Sequence, residues 1–252
     1  MMNHLHILIT RPEIQGRELC QRITEHGAHP IHFPTIAFAG PPDEQAFTQA
    51  LMQLGEQDTL IFISPQAVYA SIAHIRKHWP HFPDTVKWAA VGAGTAKALQ
   101  EAGYNAVLYP DKQQNSEGLL ALPEFQHVTD KKIAIIRGAG GREHLDKILA
   151  ERGASVLPVI AYERILPTMD ISDCLSRLKQ RAIDVIVCTS YDSIRNLKIL
   201  LGDAGWPYLQ EIPVIVVSVR IKMLAEDLGF RRIWVTRDAS QTAILDTLKD
   251  VR

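Results

Sequence analysis

The feature that most limits what this chain can become is an internal repeat. At an offset of 126 residues, Arg11 coincides with Arg137, Gly27 with Gly153, Asp58 with Asp184, Ser64 with Ser190, Val91 with Val217 and Gly103 with Gly229. The triplet Gly16-Arg17-Glu18 matches Gly141-Arg142-Glu143 after a slip of one residue. In a chain of 252 residues that offset is half the length, so the sequence describes one module used twice. The clearest stretch runs from Lys132 to Arg164. A branched apolar run, Ile133 to Ile136, reads as a buried strand. A turn with Gly138, Gly140 and Gly141 follows, then a helical pattern with Leu145, Ile148 and Leu149 on one face, closed at Gly153. A second apolar run, Val156 to Ile160, leads into Tyr162 and Arg164. The N-terminal copy keeps this order, with a strand over Leu5 to Thr10, a helix ending at Gly27 and a strand around Ile31 to Phe33.

The remainder of each half also alternates strand with helix. Apolar runs at Thr59–Ile63, Val86–Val91 and Ala106–Tyr109 have counterparts at Asp184–Cys188, Val214–Val217 and Ile233–Val235. Such alternation predicts an α/β fold with parallel sheets covered by helices on both faces, five strands to each half. Two wirings fit. The halves can be contiguous, 1–126 and 127–252, or the first strand-helix-strand unit can join the C-terminal half around an inserted middle. Prolines at 34, 41, 42 and 167 punctuate the chain after each such unit and favour the second arrangement.

Composition excludes several function classes. Apolar residues make up 46 % of the chain and charged residues 22 %, an ordinary balance for a chain with ample core. A formal net charge of −1 gives no reason to expect nucleic acid or an acidic membrane surface as partner. Cys20, Cys174 and Cys188 are odd in number, far apart and free of C-x-x-C spacing. They suit a reducing compartment and neither a disulfide framework nor zinc. The first apolar run is a short strand without a basic leader, and no stretch approaches the ~20 apolar residues that span a bilayer. A cytoplasmic protein is expected.

In parallel sheets, ligands gather beyond the carboxyl ends of the strands, and with two modules the cleft between them is the default site. Those ends carry the chemistry-bearing residues. Arg137-Gly-Ala-Gly-Gly-Arg142 sets arginines around a turn into a helix N-terminus, where amides, helix dipole and guanidinium forks attract carboxylates or phosphates. The plainer reading is a tight turn with solvated arginines. The Lys-Ser/Thr of a P-loop is missing. Gly92-Ala-Gly94-Thr95 lacks the third glycine of a dinucleotide fingerprint, and no acidic ribose ligand follows it. Ser64 and Ser190 follow strands and precede helices. Neither lies in G-x-S-x-G, so each is a helix cap or a ligand contact rather than a nucleophile. Ser116 can cap a helix from Glu117. Tyr162, just past a strand, is either packing or a proton donor. The ten histidines are scattered without H-E-x-x-H. His4 and His6 alternate on a strand as metal ligands can, although solvated or packing roles account for them.

The chain resembles the uroporphyrinogen-III synthase family over essentially its whole length. The resemblance rests on I-L-I-T-R-P (7–12), S-P-x-A-V (64–68), V-G-x-x-T-A (91–96), S-E-x-L-L (116–120), I-I-R-G-x-x-G-R-E-x-L (135–145), the Tyr162 segment and T-S (189–190). It implies two similar domains, each a five-stranded parallel sheet flanked by helices, joined by a two-stranded linker. Residues 1–34 plus 168–252 form one domain and 40–163 the other, with linkers at about 35–39 and 164–167. It also implies a lyase without cofactor or metal that closes hydroxymethylbilane into uroporphyrinogen III, inverting the last pyrrole. Tyr162 is then the proton donor, and Arg11, Ser64, Thr95, Ser116, Arg137, Gly138, Arg142 and Ser190 bind substrate. A monomer is expected, with at most a transient contact to the preceding pathway enzyme. Ser218 and Ile221 stand where the repeat would place counterparts of Gly92 and Thr95, a departure that puts a second hydroxyl contact there in doubt. Two other classes compete: a two-lobed α/β protein that binds or senses small anions without catalysis, and a nucleotide- or flavin-dependent enzyme, opposed by the incomplete glycine motifs.

Overall fold

Alternate residues of a strand face opposite sides of its sheet, and the apolar runs of this chain use both sides. The computed structural model describes every residue except Met1, Asn3, Arg142 and Arg252. It contains strands β1 (His6–Ile9), β2 (His29–His32), β3 (Ala37–Ala39), β4 (Thr59–Phe62), β5 (Lys87–Ala90) and β6 (Val107–Leu108). These are followed by β7 (Lys132–Gly138), β8 (Ser155–Ile165), β9 (Val185–Cys188), β10 (Val214–Val216) and β11 (Ile233–Val235). The helices between them are α1 (Glu13–Glu25), α2 (Glu44–Met52), α3 (Pro65–His78), α4 (Ala93–Glu101), α5 (Ser116–Leu120) and α6 (Pro123–Gln126). The later ones are α7 (His144–Glu151), α8 (Ser172–Lys179), α9 (Tyr191–Leu209), α10 (Val219–Asp227) and α11 (Gln241–Asp250). Two compact units result, one of Met1–Ala37 with Ile165–Arg252 and one of Phe38–Arg164.

The first unit holds a five-stranded sheet in the order β11-β10-β9-β1-β2, parallel throughout. Leu8, Ile186, Cys188, Val214 and Val216 face one core with Leu197, Leu201 and Trp206. Ile7, Ile9, Val185, Val187 and Ile215 face the other with Leu19, Ile244 and Leu248. Burying each such side chain contributes roughly 1.5–3 kcal/mol, and covering both faces is what a parallel sheet requires.

The second unit is built the same way, with the order β3-β8-β7-β4-β5-β6. Leu60, Phe62, Trp88, Ala134 and Ile136 point into one core, and Ile61, Ala89, Ile133 and Ile135 into the other. Removing β3 leaves an order that repeats the first unit strand for strand: β6, β5, β4, β7, β8 against β11, β10, β9, β1, β2. The expectation of a five-stranded parallel sheet in both domains is therefore corrected. One sheet has six strands and is mixed, because the short edge strand β3 adds beside β8. Ala37-Phe-Ala lies within the expected linker at about 35–39, and three residues are too few to carry a periodicity of their own.

The repeat anchors have structural counterparts. Asp184 Oδ2 accepts the His6 N–H at 2.7 Å, joining β9 to β1. Asp58 Oδ2 accepts the Lys132 N–H at 2.8 Å, doing the same for β4 and β7. Gly27 and Gly153 both adopt positive φ (80° and 89°), the left-handed conformation that closes a helix at little cost only for glycine.

Candidate functional site

Four neighbouring strands of the second unit, β8, β7, β4 and β5, carry Tyr162, Arg137 with Gly138, Ser64 and Thr95 near or just beyond their carboxyl ends. Ser64 follows β4 and caps α3, its Oγ accepting the Ala67 N–H at 3.1 Å. The same oxygen lies 3.1 Å from Tyr162 Oη, and either hydroxyl can donate. Tyr162 was expected just past a strand. Instead β8 runs on to Ile165, and the phenol ring is buried within the sheet's core, 2 % exposed, with Phe38 edge-on at 5.4 Å. β8 has sheet neighbours on both edges, β3 and β7, and it continues past the polar Glu163 and Arg164 although its last two residues are exposed.

Gly138 makes that burial possible. The register of β7 against β8 shifts between Arg137 and Gly138, pairing Gly138 with Tyr162. A Cβ at Gly138 would stand 2.6 Å from the Cε2 and Cζ atoms of the ring, so only glycine fits beside it. Arg137, on the same strand, is 7 % exposed. Its Nη1 donates to Gly141 O at 3.3 Å, and its Nη2 lies 3.2 Å from Asp146 Oδ2 and 3.7 Å from Glu143 Oε1. The guanidinium is thus matched by carboxylates of the protein itself, rather than solvated as the plainer sequence reading had it. Arg142, the other arginine of the turn, lies outside the described residues.

Thr95 sits in the first turn of α4 and is 3 % exposed. Gly92 precedes that helix and offers no side-chain cap. Gln114 Oε1 accepts the Ala93 N–H at 3.2 Å in its place. In the first unit the equivalent Ser218 caps its own helix through the Ile221 N–H at 3.3 Å. The sequence places the cap of this helix at Ser116, and the structure corrects that: Ser116 does not cap α5. Asn115 does, accepting the Gly118 N–H at 2.9 Å, and Ser116 is the first helical residue. Asn and Ser cap about equally well, so in the polar run Gln113 to Glu117 the sequence alone does not choose between neighbouring positions.

The first unit carries Arg11 beyond β1 and Ser190 beyond the neighbouring β9. Ser190 forms a reciprocal capping box with Ser193, each Oγ accepting the other's N–H at 3.0 Å. Arg11 Nη2 reaches Ala239 O at 3.4 Å, while its buried Nε has no hydrogen-bond partner among the described residues. Burial pulls its guanidinium below its ordinary range, and Glu18 works in the opposite sense.

Among the described residues no group of three or more His, Cys, Asp or Glu is placed to hold a metal ion, and no helix is long and apolar enough to cross a membrane. The chemistry on offer is hydrogen-bond donation and cation–carboxylate pairing, with one phenol–serine pair able to pass a proton. Sequence reasoning missed Asp146, Gln114 and Phe38. Only the position of Asp146 in the first turn of α7 is legible locally; its approach to Arg137 is set by the turn.

A family model described as "Uroporphyrinogen-III synthase HemD" matches residues 17–246. The uroporphyrinogen-III synthase of Escherichia coli K12 is 34 % identical over 251 residues, covering 97 % of this chain and 100 % of that protein. Its Salmonella typhimurium LT2 namesake is 32 % identical over 248 residues, with 97 % and 100 % covered. The crystal structure of uroporphyrinogen-III synthetase from Helicobacter pylori 26695 has a similar fold, with a TM-score of 0.61 at 16 % identity over 98 % of this chain and all of that one.

Proposed function

The chain belongs to the uroporphyrinogen-III synthase family, and on that premise we propose that it closes hydroxymethylbilane into uroporphyrinogen III with loss of water and inversion of the terminal pyrrole. The observation that carries this reading to particular atoms is the Ser64–Tyr162 hydroxyl pair at 3.1 Å, beside Arg137 at the carboxyl ends of β4, β7 and β8.

The substrate is a flexible octacarboxylate, so binding calls for several donors rather than one strong base. Arg137, Ser64, Thr95, Ser116, the Gly138 backbone and Arg142 supply them from the second unit, and Arg11 and Ser190 from the first. Loss of the terminal hydroxyl leaves an azafulvene cation, and a proton delivered to the departing oxygen assists it. Tyr162 is the proposed donor. Its burial leaves two routes: donation after a small displacement of the ring, or through Ser64, which gives its proton to the leaving oxygen and takes one from Tyr162. The pyrroles' own electrons drive the ionisation. The protein's part is therefore mainly to hold the chain curled, so that the inverted ring closes before spontaneous closure occurs.

The division into residues 1–34 with 168–252 and residues 40–163 goes with this reading, as does a two-stranded connection, since β3 and β8 are sheet neighbours at the points where the chain passes between units. A monomeric cytoplasmic protein, meeting at most transiently the enzyme that supplies its substrate, completes it. Turnover provides the test. Purified protein at one-hundredth the concentration of hydroxymethylbilane should consume all of it faster than the protein-free control. Consumption at the control rate would mark a binding protein instead.

A further inference from the structure

The charge of Arg137 is answered inside the protein, but poorly. A carboxylate that fits a guanidinium well engages two N–H donors with its two oxygens. Here Nη2 approaches Asp146 Oδ2 at 3.2 Å, while Arg137 Nε and Asp146 Oδ1, both buried, make no hydrogen bond among the described residues. Half-satisfied buried networks of this kind are costly to keep. A substrate carboxylate that took the Nε–Nη2 edge bidentately would remove the deficit on the arginine.

Asp146 can give the arginine up. It lies in the first turn of α7, where the helix dipole favours a negative charge whether or not a cation is near. Its side chain is 18 % exposed and that of Glu143 81 %, so both carboxylates can turn towards water. The connection from β7 passes through Gly140, at φ +69°, and Gly141, which allow backbone rearrangement.

We propose that Asp146 is a specificity-determining residue: it acts as an internal competitor that holds Arg137 until a substrate carboxylate displaces it. Simple monocarboxylates and dicarboxylates, anchored at few points, do not displace it. An octacarboxylate, already held elsewhere, does. This rests on the reading that Arg137 meets a substrate carboxylate.

The experiment measures KM and kcat for hydroxymethylbilane, and inhibition by succinate, in Asp146→Asn, Glu143→Gln and Arg137→Lys. Asp146→Asn should lower KM about three- to tenfold and make succinate an inhibitor at correspondingly lower concentration. Glu143→Gln, on an exposed side chain that can hardly affect folding, should act in the same direction and less. A KM that rises or stays unchanged in both variants overturns the proposal and assigns Asp146 the orienting of Arg137. Arg137→Lys separates the two levels. Raised KM there, with no fall in the acidic variants, sinks the competitor role alone; unchanged KM there sinks the contact on which it rests.

Discussion

Replacing Gly138 with alanine adds one methyl group beside a ring that cannot retreat freely. The new Cβ would meet Tyr162 Cε2 and Cζ at 2.6 Å and Cδ2 at 3.1 Å. Carbon atoms rest at about 3.5–4.0 Å, so the ring must move by roughly 1 Å. Phe38 stands edge-on to it and Ser64 tethers its hydroxyl. Overpacking of this kind costs about 1–3 kcal/mol, and stretching the Ser64 bond about 0.5–1.5 kcal/mol more. The melting midpoint should then fall by roughly 5–15 °C. The assay is a double-mutant cycle with Tyr162→Leu, which removes the ring, read by thermal and urea unfolding. In the leucine background the alanine should cost little, giving a coupling energy on the order of 1.5–3 kcal/mol. Additive effects would refute the packing argument and mean that Gly138 serves another purpose.

Four further outcomes follow from the same geometry. Tyr162→Phe should slow turnover of hydroxymethylbilane substantially while leaving residual activity, and undiminished steady-state turnover would remove the phenol from the chemistry. Ser190→Ala loses a helix cap worth about 1 kcal/mol, whereas Ser64→Ala loses a cap and the Tyr162 contact, so its unfolding free energy should drop by about 0.5–1.5 kcal/mol more. The backbone N–H of Lys132, first among the causes, holds the Asp58 carboxyl below its ordinary range. A depressed folded value means that this stabilisation is present above the unfolded value, about 3.9, and lost as pH falls through the folded one; Asp58→Asn should flatten that limb of a stability–pH curve. Burial pushes the thiols of Cys174 and Cys188 up to about 12 and that of Cys20 up to about 11, so iodoacetamide at pH 8 should label them only after unfolding.

Much of this fold was legible because duplication leaves marks that single elements do not. Asp58 and Asp184 stand 126 residues apart and make the same strand-to-strand bond, and Gly27 and Gly153 close equivalent helices in the same left-handed conformation. What escaped sequence reasoning was decided by contact between distant segments. Strand β3 is three residues long and exists through its neighbour β8, so no periodicity announces it. Tyr162 belongs to a strand whose polar end, Glu163-Arg164, reads as a loop, and its burial follows from Phe38, Ser64 and Gly138, three segments remote from it. Arg137 was legible as a candidate for carboxylates, but the carboxylate it meets here is Asp146, placed by a glycine turn whose path spacing does not dictate. Asn115 displaced Ser116 as the cap of α5 in a run where every residue is polar. The capping serines at 64 and 190 were legible because a hydroxyl before an apolar helical pattern is a local signal.

The most direct measurement is the ring isomer formed from hydroxymethylbilane. Spontaneous closure joins the ends without inversion and yields the type I ring. After oxidation to porphyrins and chromatographic separation, the protein should give type III in proportion to its concentration. Type I alone at every concentration would contradict the account.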